Sequence, residues 1–148
     1  MINPFSDDFF MSQAILEAHK AFSLNEVPVG AIIVINNKII GKGHNLTEKL
    51  KDVTAHAEIQ AITAASEYLG TKYLTECTMY ITLEPCIMCA GALYWSQIQR
   101  IVIGAMDNNR GSSKFSPRIY HPKTLVENGV MEKESTMLLK EFFLQKRN

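Results

Sequence analysis

Two short segments 30 positions apart have to meet for either to make chemical sense: His56-Ala57-Glu58, and Pro85-Cys86-Ile87-Met88-Cys89. Cys86 and Cys89 stand three residues apart, so at the start of a helix they share one face. The positive end of that helix lowers a thiol's pKa, and the thiolate is the form that binds metal. His56 supplies a third ligand, and one imidazole with two thiolates suits zinc. His56 and Glu58 are two apart, which is not a same-face spacing within a helix. They converge only if the metal lies off the N-terminal end of their helix. The expectation is therefore two helix N-termini meeting at one zinc ion.

Three protein ligands leave a fourth position for water, which is the mark of a catalytic rather than a structural zinc. Zinc lowers the pKa of such a water to about 7. A carboxylate beside it can then take the proton and pass it on, and Glu58 is placed for that role. His-x-Glu followed by Pro-Cys-x-x-Cys is the signature of zinc-dependent nucleobase deaminases. Plainer readings stand beside it. A lone Cys-x-x-Cys is often a redox pair, or half of a closed zinc site whose fourth ligand would be Cys77, His44 or His121. Yet nothing in the chain repeats the paired spacing of a zinc finger or ribbon. A non-enzymatic zinc module would also have no use for an unligated carboxylate beside its metal.

At 148 residues the chain is read as one domain, 1–148, long enough to bury a real core. Lys+Arg and Asp+Glu are both 15, so no global basic field announces a nucleic acid, although a local patch can still supply phosphate contacts. Met1 to Asp8 lacks the basic flank and apolar stretch of an export signal. The densest apolar run, Ala31 to Ile35, is too short to span a bilayer. Cytoplasm and no membrane are the expectation.

Periodicity places the motifs. Met11, Ile15, Ala18 and Phe22 recur at helical spacing, with Ser6, Asp7 or Asp8 to cap the start. Ala31 to Ile35 and Lys38 to Gly43 read as a hairpin turning at Asn36-Asn37. Thr54 is the expected cap of a helix from about Ala55 to Tyr68, with Gly70 as its stop. Met79 to Leu83 reads as a strand, and Pro85 suits the first turn of a helix running to about Trp95. Ile101 to Ile103 is a buried strand, Asn108 to Lys123 a long loop, Thr124 to Glu127 a last strand and Glu134 to Arg147 a last helix. Helices interleaved with strands imply an α/β fold, with a central sheet covered on both faces.

The chain resembles the cytidine/deoxycytidylate deaminase superfamily, and most closely its bacterial tRNA adenosine deaminases. The resemblance rests on Glu26 to Ala31, Gly43-His44-Asn45, Thr54 to Glu58, Thr82 to Gly91 and Gly104 to Asp107, and runs from about Phe9 to Phe143. It implies a three-layer α/β/α sandwich with a central mixed five-stranded sheet, a homodimer, and conversion of the wobble adenosine of a tRNA anticodon loop to inosine. By resemblance His56, Cys86 and Cys89 are the Zn2+ ligands and Glu58 the proton shuttle. Asn45 is the residue that hydrogen-bonds the nucleoside, with an ordinary turn role as its alternative. Val29 and the Gly30-Ala31 backbone wall the base pocket, or Val29 and Ala31 merely pack a strand, and Asp107 lies near the flipped nucleotide.

The sequence departs from that branch after Asp107, reading Asn108-Asn109-Arg110-Gly111-Ser112-Ser113 where a Lys and a Gly-Ala-x-Gly-Ser pattern are usual. Tyr94-Trp95 equally resembles small-base deaminases such as the guanine deaminases, so a deaminase of a free base or nucleoside (guanine, cytosine or adenine) is the alternative. The loop itself points to RNA. Arg110, Lys114, Arg118 and Lys123 occur there with no acidic residue, interleaved with Phe115, Tyr120 and His121. Cations for phosphates and rings for unstacked bases are what a single-stranded anticodon loop requires. A solvated loop that touches nothing is the plainer reading.

Overall fold

The structure is a computed structural model that describes residues 4–147. Met1 to Asn3, the first part of the segment read for an export signal, and Asn148, the end of the domain read over 1–148, lie outside the described residues. Strands β1 (Gly30–Ile35) and β2 (Lys38–His44) form the expected hairpin. It turns at Asn36 (φ 48°) and Asn37 (φ 63°), the pair of positive φ angles that a tight primed turn needs. Strand β3 (Thr78–Leu83) lies antiparallel to β1, while β4 (Arg100–Ala105) and β5 (Leu125–Asn128) continue the sheet in parallel. The order is β2-β1-β3-β4-β5, a mixed five-stranded sheet as the resemblance implied.

Alternation along the strands sorts the core into two layers. Ala31, Ile33, Met79, Ile81, Ile101 and Ile103 face α3 (Ala57–Leu69) and α4 (Ile87–Ser96). Ile32, Val34, Tyr80 and Val102 face α1 (Asp7–Ser23), meeting Phe10, Met11, Ala14 and Ile15. The last helix, α5 (Glu132–Arg147), lies beside α1 through the ring of Phe142, 5.8 Å from Phe22. These layers make the three-layer α/β/α sandwich. Helix α3 sits close on β2: a Cβ at Gly43 would fall 2.2 Å from the Ala57 carbonyl oxygen. No helix among the described residues is long and apolar enough to cross a membrane.

Boundaries differ from the sequence reading where distant partners intervene. Ser6 caps α1 by accepting the Phe9 N–H at 3.1 Å, and Gly70 (φ 70°) ends α3, both as expected. Thr54 does not cap α3. Its N–H and hydroxyl both donate to Asp52, and His56 takes the cap position instead. Pro85 lies one residue before the α4 cap, Cys86, rather than inside the first turn. A single helical turn, α2 (Thr47–Leu50), had no sequence signal. The loop from 108 to 123 carries one short 3-10 turn, Ser112–Lys114. Its length has a topological reason, because two parallel strands need a crossover of a dozen or more residues.

A polar cluster ties α1 to the sheet. Asp7 accepts the Tyr80 hydroxyl at 2.7 Å and two Arg100 guanidinium N–H groups at 2.9 and 2.6 Å, and Arg100 also reaches Glu127 on β5. The Arg100 hydrogen bond, with help from Tyr80, outweighs partial burial and holds the Asp7 carboxyl below its ordinary range. A carboxyl depressed on folding contributes stability above its unfolded pKa, about 3.9, and loses it as pH falls through the folded value. Asp7→Asn is therefore expected to lower stability at pH 7, by a gap that narrows as pH falls to 2. Urea denaturation at both pH values checks this; an equal gap at each excludes it.

Candidate active site

Helices α3 and α4 aim their N-termini at one place. His56 is the cap residue of α3 and Cys86 that of α4, each with extended backbone and with no side-chain capping bond. Cys89 follows in the first turn of α4 and is buried. His56 Nδ1 lies 3.6 Å from Cys86 Sγ and 3.5 Å from Cys89 Sγ. The three ligand atoms fall within 4.8 Å of one another. Zinc bonds of about 2.0–2.1 Å to nitrogen and 2.3 Å to sulfur, at a tetrahedral angle, put N and S about 3.6 Å apart. The trio fits a tetrahedral zinc.

No fourth protein ligand joins that group among the described residues. His44 instead pairs with Glu17 at 3.2 Å, His121 packs on the Tyr94 ring, and Cys77 is buried in the core. The thiol pair is asymmetric. Cys86 is pushed down to about 4, first by the hydrogen bond from Cys89 and then by His56, against its burial. Cys89 is pushed up as the donor of that pair and by burial. The hydrogen bond to Cys86 also raises His56. Glu58, in the first turn of α3, is only 3% exposed, and burial pushes its carboxyl up to about 7. A carboxyl able to hold or release a proton near neutrality thus sits beside the trio.

His56, Glu58 and Cys86 open into a cleft of about 860 Å³. One wall carries Val29, Asn45, Thr47 and Glu48, and the other Met106, Asp107, Asn108, Asn109 and Arg110. Thr136, Leu139, Lys140 and Phe143 of α5 complete it. Asn45 Oδ1 accepts the Ala57 N–H at 2.9 Å, so this side chain supplies the capping bond that Thr54 was expected to give. Because the amide oxygen is committed there, the NH2 is what Asn45 can offer to the cleft. Asp107 accepts the N–H groups of Asn109 and Arg110, both at 3.0 Å, and so shapes its own loop.

Other expected contacts are placed less closely. Ala31 is fully buried against the α3 face of the sheet and is not among the cleft-lining residues. Lys114 and Arg118 are exposed farther along the loop, outside the cleft lining. Of the three loop rings, Tyr120 turns inward onto the core with its hydroxyl 3.2 Å from Ser112, and His121 packs on Tyr94. Phe115 alone of these is exposed. On α5, Phe142 is core, while Phe143 faces the cleft.

Besides Glu17, which pairs with His44 and Lys20, two more buried carboxylates carried no expected role. Glu26 accepts the N–H groups of Glu48 and Lys49 at 3.0 and 2.8 Å, fastening α2. Glu84 accepts those of Asp107 and Ser113 at 3.1 and 2.9 Å. The only sequence signal for either was its place in a stretch carrying the resemblance.

The profile of the cytidine and deoxycytidylate deaminase zinc-binding region matches residues 5–105. The tRNA-specific adenosine deaminase of Aquifex aeolicus is 46% identical over 145 residues, covering 95% of this chain and 96% of that protein. A structure from a study of A-to-I editing by tRNA:A34 deaminases at the wobble position of transfer RNA matches with a TM-score of 0.82 and 40% identity. That match covers 88% of this chain and 98% of that one. The guanine deaminase of Bacillus subtilis is also similar, with a TM-score of 0.68 and 31% identity over 79% of this chain and 78% of its own. This chain belongs to the cytidine and deoxycytidylate deaminase family, within the branch of the tRNA-specific adenosine deaminases.

Proposed function

We propose that this protein is a single-domain, zinc-dependent hydrolase that converts the wobble adenosine of a tRNA anticodon to inosine. The observation that carries the reading is the meeting of His56, Cys86 and Cys89 with buried Glu58 at the floor of the cleft. His56 Nδ1 and the two sulfurs would hold the ion, which supplies the Lewis acidity that makes water nucleophilic at neutral pH. Glu58 takes one proton of the attacking water and delivers it to ring N1, where inosine keeps it. It then takes the remaining hydroxyl proton as the C6 carbonyl forms and gives it to the amine, which leaves as ammonia when the C6–N bond breaks. Adenosine and water thus become inosine and ammonia. Asn45 presents its NH2 to the nucleoside and Val29 walls the base. Asp107 holds the loop beside the flipped nucleotide.

The cleft's size favours RNA over a free base. About 860 Å³ is near the top of the range of roughly 300–1,000 Å³ for small-molecule sites. A lone purine calls for a smaller, closed pocket. Arg110 at the cleft, with Lys114 and Arg118 beyond it, supplies cations for the anticodon phosphates. The setting is the cytoplasm, where such a substrate is found. A homodimer is supported by α4, whose inner face holds Cys89 while its outer face exposes Ile87, Tyr94 and Trp95, the last 76% exposed. An apolar row of that kind suits a two-fold contact close to the site.

About one zinc per chain is expected, unchanged in Cys77→Ser. Glu58→Gln should keep the metal and lose roughly 10²-fold or more of the turnover, since proton transfer alone is removed. Metal analysis beside single-turnover assays tests both; zinc lost with Cys77, or Glu58→Gln active within a few-fold of the parent, contradicts them.

Incubation with an anticodon stem-loop bearing adenosine at the wobble position should yield inosine. Neutralising Arg110, Lys114 and Arg118 together should weaken RNA binding and flatten its salt dependence, by about one unit of slope or a little less per lost phosphate contact. No inosine, together with ammonia release from guanine or cytosine, would replace RNA with a free base.

Light scattering at micromolar concentration should report twice the chain mass. A monomer there removes the dimer.

A further inference from the structure

We propose that Glu84 is a positioning residue that clamps the segment from 107 to 113 as one wall of the cleft; the substrate part of this claim rests on the reading above. Glu84 follows β3 directly and is 5% exposed, yet among the described residues no side-chain cation pairs with it. Its two oxygens are divided between backbone donors six residues apart, Oε1 taking the Asp107 N–H and Oε2 the Ser113 N–H. A buried carboxylate bonded to two backbone N–H groups is a strong, charge-assisted staple. The same segment is fastened once more alongside, where the Ser112 N–H donates to the Pro85 carbonyl at 2.9 Å.

Gly111 supplies an independent observation. Its φ of −65° is open to any residue, so backbone freedom does not explain a glycine there. Space does. A Cβ on Gly111 would lie 2.1 Å from Glu84 Oε1 and 2.5 Å from the Asp107 carbonyl oxygen. The loop closes over the carboxylate so tightly that one methyl group would displace it. Between the two anchor points lie Asn108, Asn109 and Arg110, all facing the cleft. Glu84 is itself among the cleft-lining residues, but both its oxygens are spent on the backbone of the wall, so its effect falls on how well substrate is held.

Glu84→Gln preserves shape but turns one acceptor into a donor facing an N–H. In the parent, the amides of Asp107 and Ser113 should exchange slowly with solvent although they lie in a loop. In the variant both should exchange at least roughly tenfold faster, with β3 and β4 unaffected and zinc retained. The KM for the anticodon stem-loop should rise about tenfold while kcat stays within about threefold. Gly111→Ala attacks the clamp from the other side and should reproduce these changes. The double variant should then be no worse than the worse single one, since both remove the same interaction.

Unchanged exchange at both amides in Glu84→Gln overturns the proposal. So do additive losses in the double variant, or a fall in kcat that tracks loss of folded protein at constant KM. If Glu84→Gln does not fold, Gly111→Ala decides by the same readouts. A parent that makes no inosine removes the tRNA reading alone, because amide exchange judges the clamp without any substrate.

Discussion

Two helices that aim their N-termini at one point repel each other, since each end carries roughly half a positive charge. The site of this protein is built on that repulsion and on what relieves it. Cys86 stands at the mouth of α4 as the thiol most easily ionised, and Glu58 sits in the first turn of α3. Anionic ligands therefore stabilise the converging helices, and the converging helices stabilise the anions. The spacing of His56 from both sulfurs matches what a tetrahedral zinc requires, so a bound ion would complete the balance rather than disturb it. Proton transfer chemistry can then be placed where burial keeps Glu58 from being a permanent anion.

Holding two such helices in register falls to the sheet and to a repeated local device. The glycine at 43 lets α3 lie directly on β2, and the inward faces of β1, β3 and β4 seat both helices on one layer. Around the cleft, side-chain oxygens capture backbone N–H groups from other segments. Asn45 does so for the start of α3, Glu26 for α2 and Glu84 for the loop after β4. Each leaves an orphan donor satisfied and a piece of the cleft rim fixed, so the polar groups that shape the walls are also those that order them.

These captures mark the boundary of what could be read in advance. Hydrophobic period gave the helices and strands, and ligand spacing gave the convergence at zinc, because both are local properties of the chain. The α3 cap was misassigned to Thr54 because Ser, Thr, Asp and Asn are judged by position. The oxygen that holds Ala57 comes instead from Asn45, 12 residues earlier. Glu84 reaches donors 23 and 29 residues onward, a separation that leaves no pattern in sequence. Ala31 illustrates a different gap. Val29 and Ala31 share one face of the sheet, and only the packed structure shows that Val29, just before β1, reaches the cleft while Ala31 is covered within the core that α3 seals. Tyr120, read as a ring for RNA, packs partly buried against the core from a loop that carries no period to announce it.

Substrate choice follows from topology more than from the metal. Strands β4 and β5 run parallel, so the chain must cross from the end of one to the start of the other whatever the protein acts on. That crossover leaves from the C-terminal end of β4, beside that of the parallel strand β3, the edge at which α/β sheets bind their ligands. The wall from Met106 to Arg110 is therefore made of a connection the fold needs anyway. Sequence can vary along it without touching His56, Glu58, Cys86 or Cys89. Such a wall is free to change only if something outside it keeps its ends in place, and here both ends are bonded to one buried carboxylate just after β3. Reactivity and selectivity are thus separated along the chain: converging helix termini hold the first, and a clamped crossover holds the second.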